Sequence, residues 1–213
     1  MPTGVTVAAD GRIFVNFPRW GDEVPYTVGE IRHGKIVPYP DAAINRFDPA
    51  RPGTTLGNVQ SVVVDPANRL WILDTAAPSF SAPMPGGAKL VAVDLSTNKV
   101  AKTIVLAPTT VLKTTYINDV RFDLRQAKAG IAYITDSSVS GPGAIIVVDL
   151  DAGNRHRSGA APLQSAGRLP PCQEAAAMAA GRAVAWRQCF SSSAIRNASS
   201  SAWLAFSRGS QWV

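Results

Sequence analysis

One unit recurs at long period along the first two thirds of the chain, and that recurrence restricts the fold more than any other feature. GVTVAADGRIFVNF at 4–17, QSVVVDPANRLWILDT at 60–75 and NDVRFDLRQAKAGIAYITDS at 118–137 align with one another. Each has a short alternating apolar run, an Asp that opens a turn (Asp10, Asp65, Asp123) and a second run with an aromatic (Phe14, Trp71, Tyr133). The turn aspartates are spaced 55 and 58 residues apart. A second shared element follows the later two copies, AKLVAVDLSTNK at 88–99 and GAIIVVDLDAGN at 143–154. Asp followed by small polar residues is hairpin chemistry, because Asp, Asn, Ser and Gly tolerate turn dihedrals and the side chains of Asp, Asn and Ser bond nearby backbone. In the first copy the outer pair is weaker, TVGEIR and KIVPY around Gly34.

Each unit therefore reads strand, turn, strand, loop, strand, turn, strand. Runs rich in Val, Ile and Thr with period-two alternation argue for strands, and no helical stripe of useful length precedes residue 154. Four strands per unit at a period near 50 residues is the pattern of propeller blades. The expected fold is all-β: about three four-stranded blades of a β-propeller over 1–153, followed by an irregular tail over 154–213. The turn aspartates, including Asp94 and Asp149, are expected only to form turns. Phe14, Trp71 and Tyr133 are expected to pack between blades, and His33 to be a solvated turn residue.

The tail differs in kind. Residues 1–153 hold 14 Lys and Arg against 14 Asp and Glu, whereas 154–213 hold seven Arg, no Lys and only Glu174. The net charge of +6 thus lies wholly in the tail, where arginines scattered among Ala, Ser and Gly do not make a polyanion-binding arm. No nucleic-acid or membrane partner is expected, and no apolar run approaches the length of a membrane span. Cys172 and Cys189 match no zinc or redox spacing. After Asp149 the repeat calls for an apolar outer strand, but the chain reads RHRSGAAPLQSAGRLPPCQ. The third blade is therefore predicted to lack its edge strand. A reading-frame shift near codon 153 is the expected origin of the tail, a natural variant tail or linker the other reading. Ala content makes 173–190 a candidate helix.

The stretches GRIFVNFPRWGDEVPYTVGEI, VQSVVVDPANRLWILDT, YINDVRFD and AYITDSS with GAIIVVDL resemble the bacterial members of the yellow and major royal jelly protein family, over residues 2 to about 153. The resemblance implies a six-bladed propeller, a secreted or periplasmic protein, and binding of a small aromatic or amine ligand in the central channel. It also implies an export signal before Pro2, of which MPTGVTVAADG shows no sign, and three further blades. Some members are linked to dopachrome isomerisation, which implies as one alternative a tautomerase that moves a proton with a channel carboxylate. Asn118-Asp119 is also similar to a motif of gluconolactonase and regucalcin propellers, which implies as the runner-up a lactone hydrolase with a divalent metal such as calcium or zinc. Otherwise no cofactor is expected. Fewer than three complete blades cannot close a ring, which predicts little activity and open blade edges prone to self-association.

In a propeller, the loops before each innermost strand and after each second strand open at one mouth of the channel. Asn58, Gln60, Asn118 and Asp119 fall in the first group; Asn16, Arg19, Asp74, Thr75, Asp136 and Ser137 fall in the second. Of these, Asn118, Asp119, Asp74, Asp136, Asn16 and Arg19 are the expected ligand contacts. Asp74 and Asp136 carry the competing expectation that they bond loop backbone. Arg19-Trp20-Gly21-Asp22 stands out because no other unit repeats it. No catalytic residue is assigned: the chain has no nucleophile elbow, phosphate-binding glycine loop or metal-spaced histidine pair.

Overall fold

The computed structural model describes residues 1–153 and 155–159. These form three four-stranded antiparallel sheets, each built from strands consecutive in the chain. The first holds β1 (Gly4–Val7), β2 (Ile13–Asn16), β3 (Val28–Arg32) and β4 (Lys35–Pro38). The second holds β5 (Val59–Asp65), β6 (Arg69–Asp74), β7 (Lys89–Asp94) and β8 (Lys99–Val105). The third holds β9 (Ile117–Asp123), β10 (Ile131–Asp136), β11 (Ala144–Asp149) and β12 (Arg155–Gly159). A four-residue helix, α1 (Ala42–Asn45), capped by Asp41, joins the first sheet to the second. This is a partial β-propeller, and the inner strands β1, β5 and β9 are successive neighbours.

The hairpins form for the reason expected. Asp10, Asp65, Asp94, Asp123 and Asp149 each accept backbone N–H groups two to four residues on, at 2.7–3.2 Å. His33 sits exposed at φ 50° in the β3–β4 turn.

One expectation fails. The third sheet does not lose its edge strand: Arg155–Gly159 pairs with β11, from Val148↔Arg155 to Ala144↔Gly159. An edge strand is held by backbone bonds on one side and does not need the apolar alternation of a strand packed on both faces. Arg157 adds a partly buried anchor, donating to the carbonyls of Thr110 and Pro142 and to Thr115 Oγ1. The rest of the tail, with its reading-frame question and the helix expected at 173–190, lies outside the described residues.

Apolar side chains fill the two seams. Phe14, Val28 and Tyr39 of the first sheet and its following loop pack against Val59, Leu70, Ile72, Val91 and Val93 of the second. The other face of the second sheet presents Trp71, Leu73, Leu90 and Ala92 to Val120, Ala132, Ile134, Ile146 and Val148 of the third. Phe14 and Trp71 are thus inter-blade core, as expected. Tyr133 alternates with Ala132 and Ile134, so it occupies the third sheet's other face and is half-buried.

Polar ties cross the same seams. Arg12 on the first sheet donates to Glu30 at 2.7 and 3.1 Å and crosses to Leu95 O and Asn98 Oδ1 at 3.0 and 2.7 Å. Lys102 donates to Leu150 O and Asp151 O across the second seam. Burial of Glu30 opposes its ionisation, but the hydrogen bonds and charges of Arg12 and Arg32 outweigh it and lower its pKa. A lowered carboxylate pKa stabilises the fold fully above the unfolded value, about 4.3, and that stability is lost as pH falls through the folded value. Glu30→Gln is therefore expected to flatten the acid limb of a pH–stability curve recorded by urea titration. An unchanged limb would remove this tie from the account.

Candidate functional site: a polar groove on the inner strands

Two sheets carry an irregularity at the same place in the repeat. In β5 the register moves from Val59↔Asp74 to Ser61↔Leu73, which makes Gln60 an extra residue. In β9 it moves from Ile117↔Asp136 to Val120↔Ile134, so Asn118 and Asp119 together face Thr135. Bulges break the strict alternation of side chains and re-aim them. Gln60 and Asn118 both lie five residues before their turn aspartate, and both line a groove of about 570 Å³ along the inner strands. Its other walls are Thr3 to Thr6 at β1, Ser61 to Val63 of β5, Asp119, Arg121 and Trp20.

Within the groove, Asp119 Oδ1 accepts from Ser61 Oγ at 2.9 Å, its neighbour's amide at 2.8 Å and Arg121 Nη1 at 2.7 Å. The Ser61 bond joins the inner strands of two blades. Asn118 is exposed and donates only a long 3.5 Å bond to Ser137 Oγ.

An aromatic stack stands at the rim. Trp20 from the β2–β3 loop stacks on Phe80 from the β6–β7 loop, and Phe80 stacks on Tyr116 just before β9, each with ring centroids 5.5 Å apart. Trp20 Nε1 donates to Tyr116 Oη at 2.7 Å, so loops of all three sheets meet. Burial raises the Tyr116 pKa, opposed by hydrogen bonds from Trp20 and Asn58; the phenol is neutral at pH 7. Phe80 is 61% exposed and follows Ser79, with φ of 57° and 53°. Left-handed backbone at two adjacent non-glycine residues costs on the order of 1–3 kcal/mol each.

The six expected contacts divide. Asn118 and Asp119 line the groove; Asp74, Asp136, Asn16 and Arg19 do not. Asp74 is fully buried, accepting from the amides of Gly57, Asn58 and Ala76 at 2.8 Å and from Lys89 Nζ at 2.6 Å. Asp136 does the same in the next blade, accepting from the amides of Tyr116 and Ser138 while its other oxygen meets Arg157 at 2.7 Å. Both are loop and strand anchors, the competing expectation, and their repetition by blade follows from repeated backbone. Asn16 is buried beneath the rim, donating to Thr3 Oγ1 and Val59 O. Its Oδ1 lies 2.3 Å from where a Cβ on Gly4 would sit, so a side chain at position 4 would require Asn16 to shift. The Arg19 guanidinium turns back into its own side of the fold, donating to the carbonyls of Val24 and Asn45, and burial lowers its pKa against the opposing charge of Asp74.

Sequence reasoning passed over Phe80, Ser61 and Arg121. The first sits in a Pro-Ser loop with no partner in the repeat. The other two are ordinary alternating strand positions whose inward side only the packed sheets define. The signal for Trp20 was present in its unrepeated loop.

Among the described residues, no three His, Cys, Asp or Glu side chains come together in a way that could hold a metal ion. The groove's carboxylate, Asp119, already spends one oxygen on three donors.

Fold and groove together define a β-propeller whose inner strands present a polar ligand-sized surface beneath an aromatic rim. The sequence profile described as Major royal jelly protein matches residues 58–197, running past residue 153 where the repeat pattern stops. The chain belongs to the major royal jelly protein family. It is 29% identical over 149 residues to Protein yellow of Drosophila erecta, covering 64% of this chain and 26% of the fly protein. The corresponding protein of Drosophila madeirensis is 30% identical over 149 residues, covering 64% and 25%. The chain thus spans about a quarter of the length of the curated relatives it matches. Among solved structures, Kuenenia stuttgartiensis Hydrazine Synthase is similar at a TM-score of 0.48 and 12% identity, covering 74% of this chain and 42% of that one. Proteins of the family are secreted, and no described helix is long and apolar enough to cross a membrane.

Proposed function

We propose that the inner-strand groove binds a small aromatic molecule carrying polar or amine substituents, and that the protein does this outside the cytoplasm. The observation that supports the reading most is the pairing of two surfaces. A groove of about 570 Å³ lies within the roughly 300–1,000 Å³ typical of ligand sites, and Trp20 belongs both to its wall and to the aromatic stack. Flat rings stack on such surfaces, and Asn118, Asp119 and Gln60 supply amide and carboxylate groups that orient polar substituents. An ammonium substituent would be drawn to the Asp119 carboxylate and to the indole face.

The test is calorimetric titration of the full chain with phenethylamine and tryptamine, repeated on Trp20→Ala. The variant is expected to lose about tenfold in affinity, the worth of one good aromatic contact. Equal affinity for both proteins would remove the groove as the site.

A further inference from the structure

Gln60 stands out within the groove because its hydrogen-bonding is half finished. The neighbouring Asn58 settles its orientation. Asn58 Oδ1 accepts the backbone N–H of Arg19 at 2.7 Å and its Nδ2 donates to the carbonyl of Ala77 at 2.7 Å. Both partners are main-chain groups with one role each, so the Asn58 amide can face only one way. Gln60 approaches Asn58 Oδ1 at 3.3 Å and must present its nitrogen there. Its oxygen, Oε1, is left with no hydrogen-bond donor, on a residue only 5% exposed. A buried acceptor without a donor is unfavourable, and native folds rarely keep one without a reason.

The bulge supplies a second, independent observation. Gln60 is the extra residue of β5, and β9 has its own irregularity at the equivalent residue, Asn118. Two blades thus break their ladders at one level and send an amide side chain from each into the same groove. Regular pairing would leave the alternation of β5 intact; the irregularity is kept where it brings Gln60 to the groove. The 3.3 Å bond to Asn58 is long, and the terminal amide torsion of Gln is soft. That weak bond and soft torsion leave the amide free to adjust so that Oε1 meets a donor offered in the groove.

From this we infer that Gln60 is a specificity-determining residue: its Oε1 accepts a hydrogen bond from the ligand, selecting molecules that place an N–H or O–H donor between the bulges of β5 and β9. Asn58 is the positioning residue that sets the amide's orientation. The inference rests on the groove being the ligand site, and it adds a requirement which stacking alone does not impose. Molecules of the same ring system that offer only an acceptor or a methyl group at that point are rejected, because they leave Oε1 without a donor.

Matched probe pairs test it: indole against 1-methylindole, and phenol against anisole, titrated into the full chain by calorimetry. The donor member of each pair is expected to bind about tenfold more tightly. In Gln60→Met, which keeps the length of the side chain and removes the acceptor, that preference is expected to shrink to below about threefold, with thermal unfolding recorded to show that the variant is folded. Equal binding of both members to the unaltered protein, weakened for both by Trp20→Ala, would overturn the role of Gln60 and leave the groove as the site. Persistence of the tenfold preference in Gln60→Met would also overturn it. Failure of every probe to bind would take down the groove reading and this inference together.

Discussion

Replacing Asp74 by alanine is expected to cost about 3–5 kcal/mol, the range seen when one partner of a buried ion pair is removed. Lys89 and Asp74 are 1% and 0% exposed at the side chain and 2.6 Å apart. Lys89 also donates to the carbonyls of Pro52 and Gly87 at 2.7 and 3.0 Å, which helps to hold the loop entering the second sheet. Alanine at 74 strands that ammonium in the interior. It also takes the acceptor from three backbone amides, those of Gly57, Asn58 and Ala76. Against a total stability of roughly 5–15 kcal/mol, such a loss leaves the fold marginal at room temperature. Lys89→Met is expected to cost less, because Asp74 keeps its three amide donors. Urea titrations of the two variants decide the matter. If Asp74→Ala remains within about 1 kcal/mol of the parent while ligand binding disappears, Asp74 is a ligand contact after all and its role as an anchor is wrong.

Trp71→Ala is the second large effect, expected at about 3–5 kcal/mol for a buried aromatic truncated to a methyl. Trp71 is 1% exposed in the seam between the second and third sheets, 5.2 Å from the ring of Phe122. Its Nε1 donates to Asp65 Oδ2 at 2.7 Å, and Asp65 also receives the side chain of Arg69. Trp71→Phe preserves most of the packing and loses that hydrogen bond, for a cost of about 1 kcal/mol. The location of the damage is as informative as its size. Hydrogen exchange should rise chiefly in β9, β10 and β11, which pack on that seam, while β1 and β2 on the far side of the second sheet keep their protection. Uniform loss of protection would show that the three sheets unfold as one unit.

These two residues illustrate different kinds of legibility. Trp71 was readable as inter-blade core because side-chain alternation and the repeat together specify a face. Asp74 was readable as a repeated polar residue at a strand end, and at that level a ligand contact and a backbone anchor look alike. Burial and Lys89, fifteen residues on, separate them. Arg157 is a harder case: the repeat called for an outer strand after Asp149, but RHRSG, with two Arg and no apolar alternation, hid it. Its pairing with β11 and its contact with Asp136 depend on backbone and loops assembled elsewhere.

Recurring turn aspartates and alternating apolar runs, which act over a few residues, by themselves determined the hairpins, the division into blades and every strand but β12; they set Asn118 and Asp119 at the mouth before an inner strand, where the structure has them inside β9. Only the tertiary structure decided what lies at the centre. Bulges are departures from register that one strand's sequence does not announce. The groove between them exists only when three inner strands stand side by side, and the contact of Trp20 with Tyr116, 96 residues away, forms only after loops from separate blades have been brought to one rim.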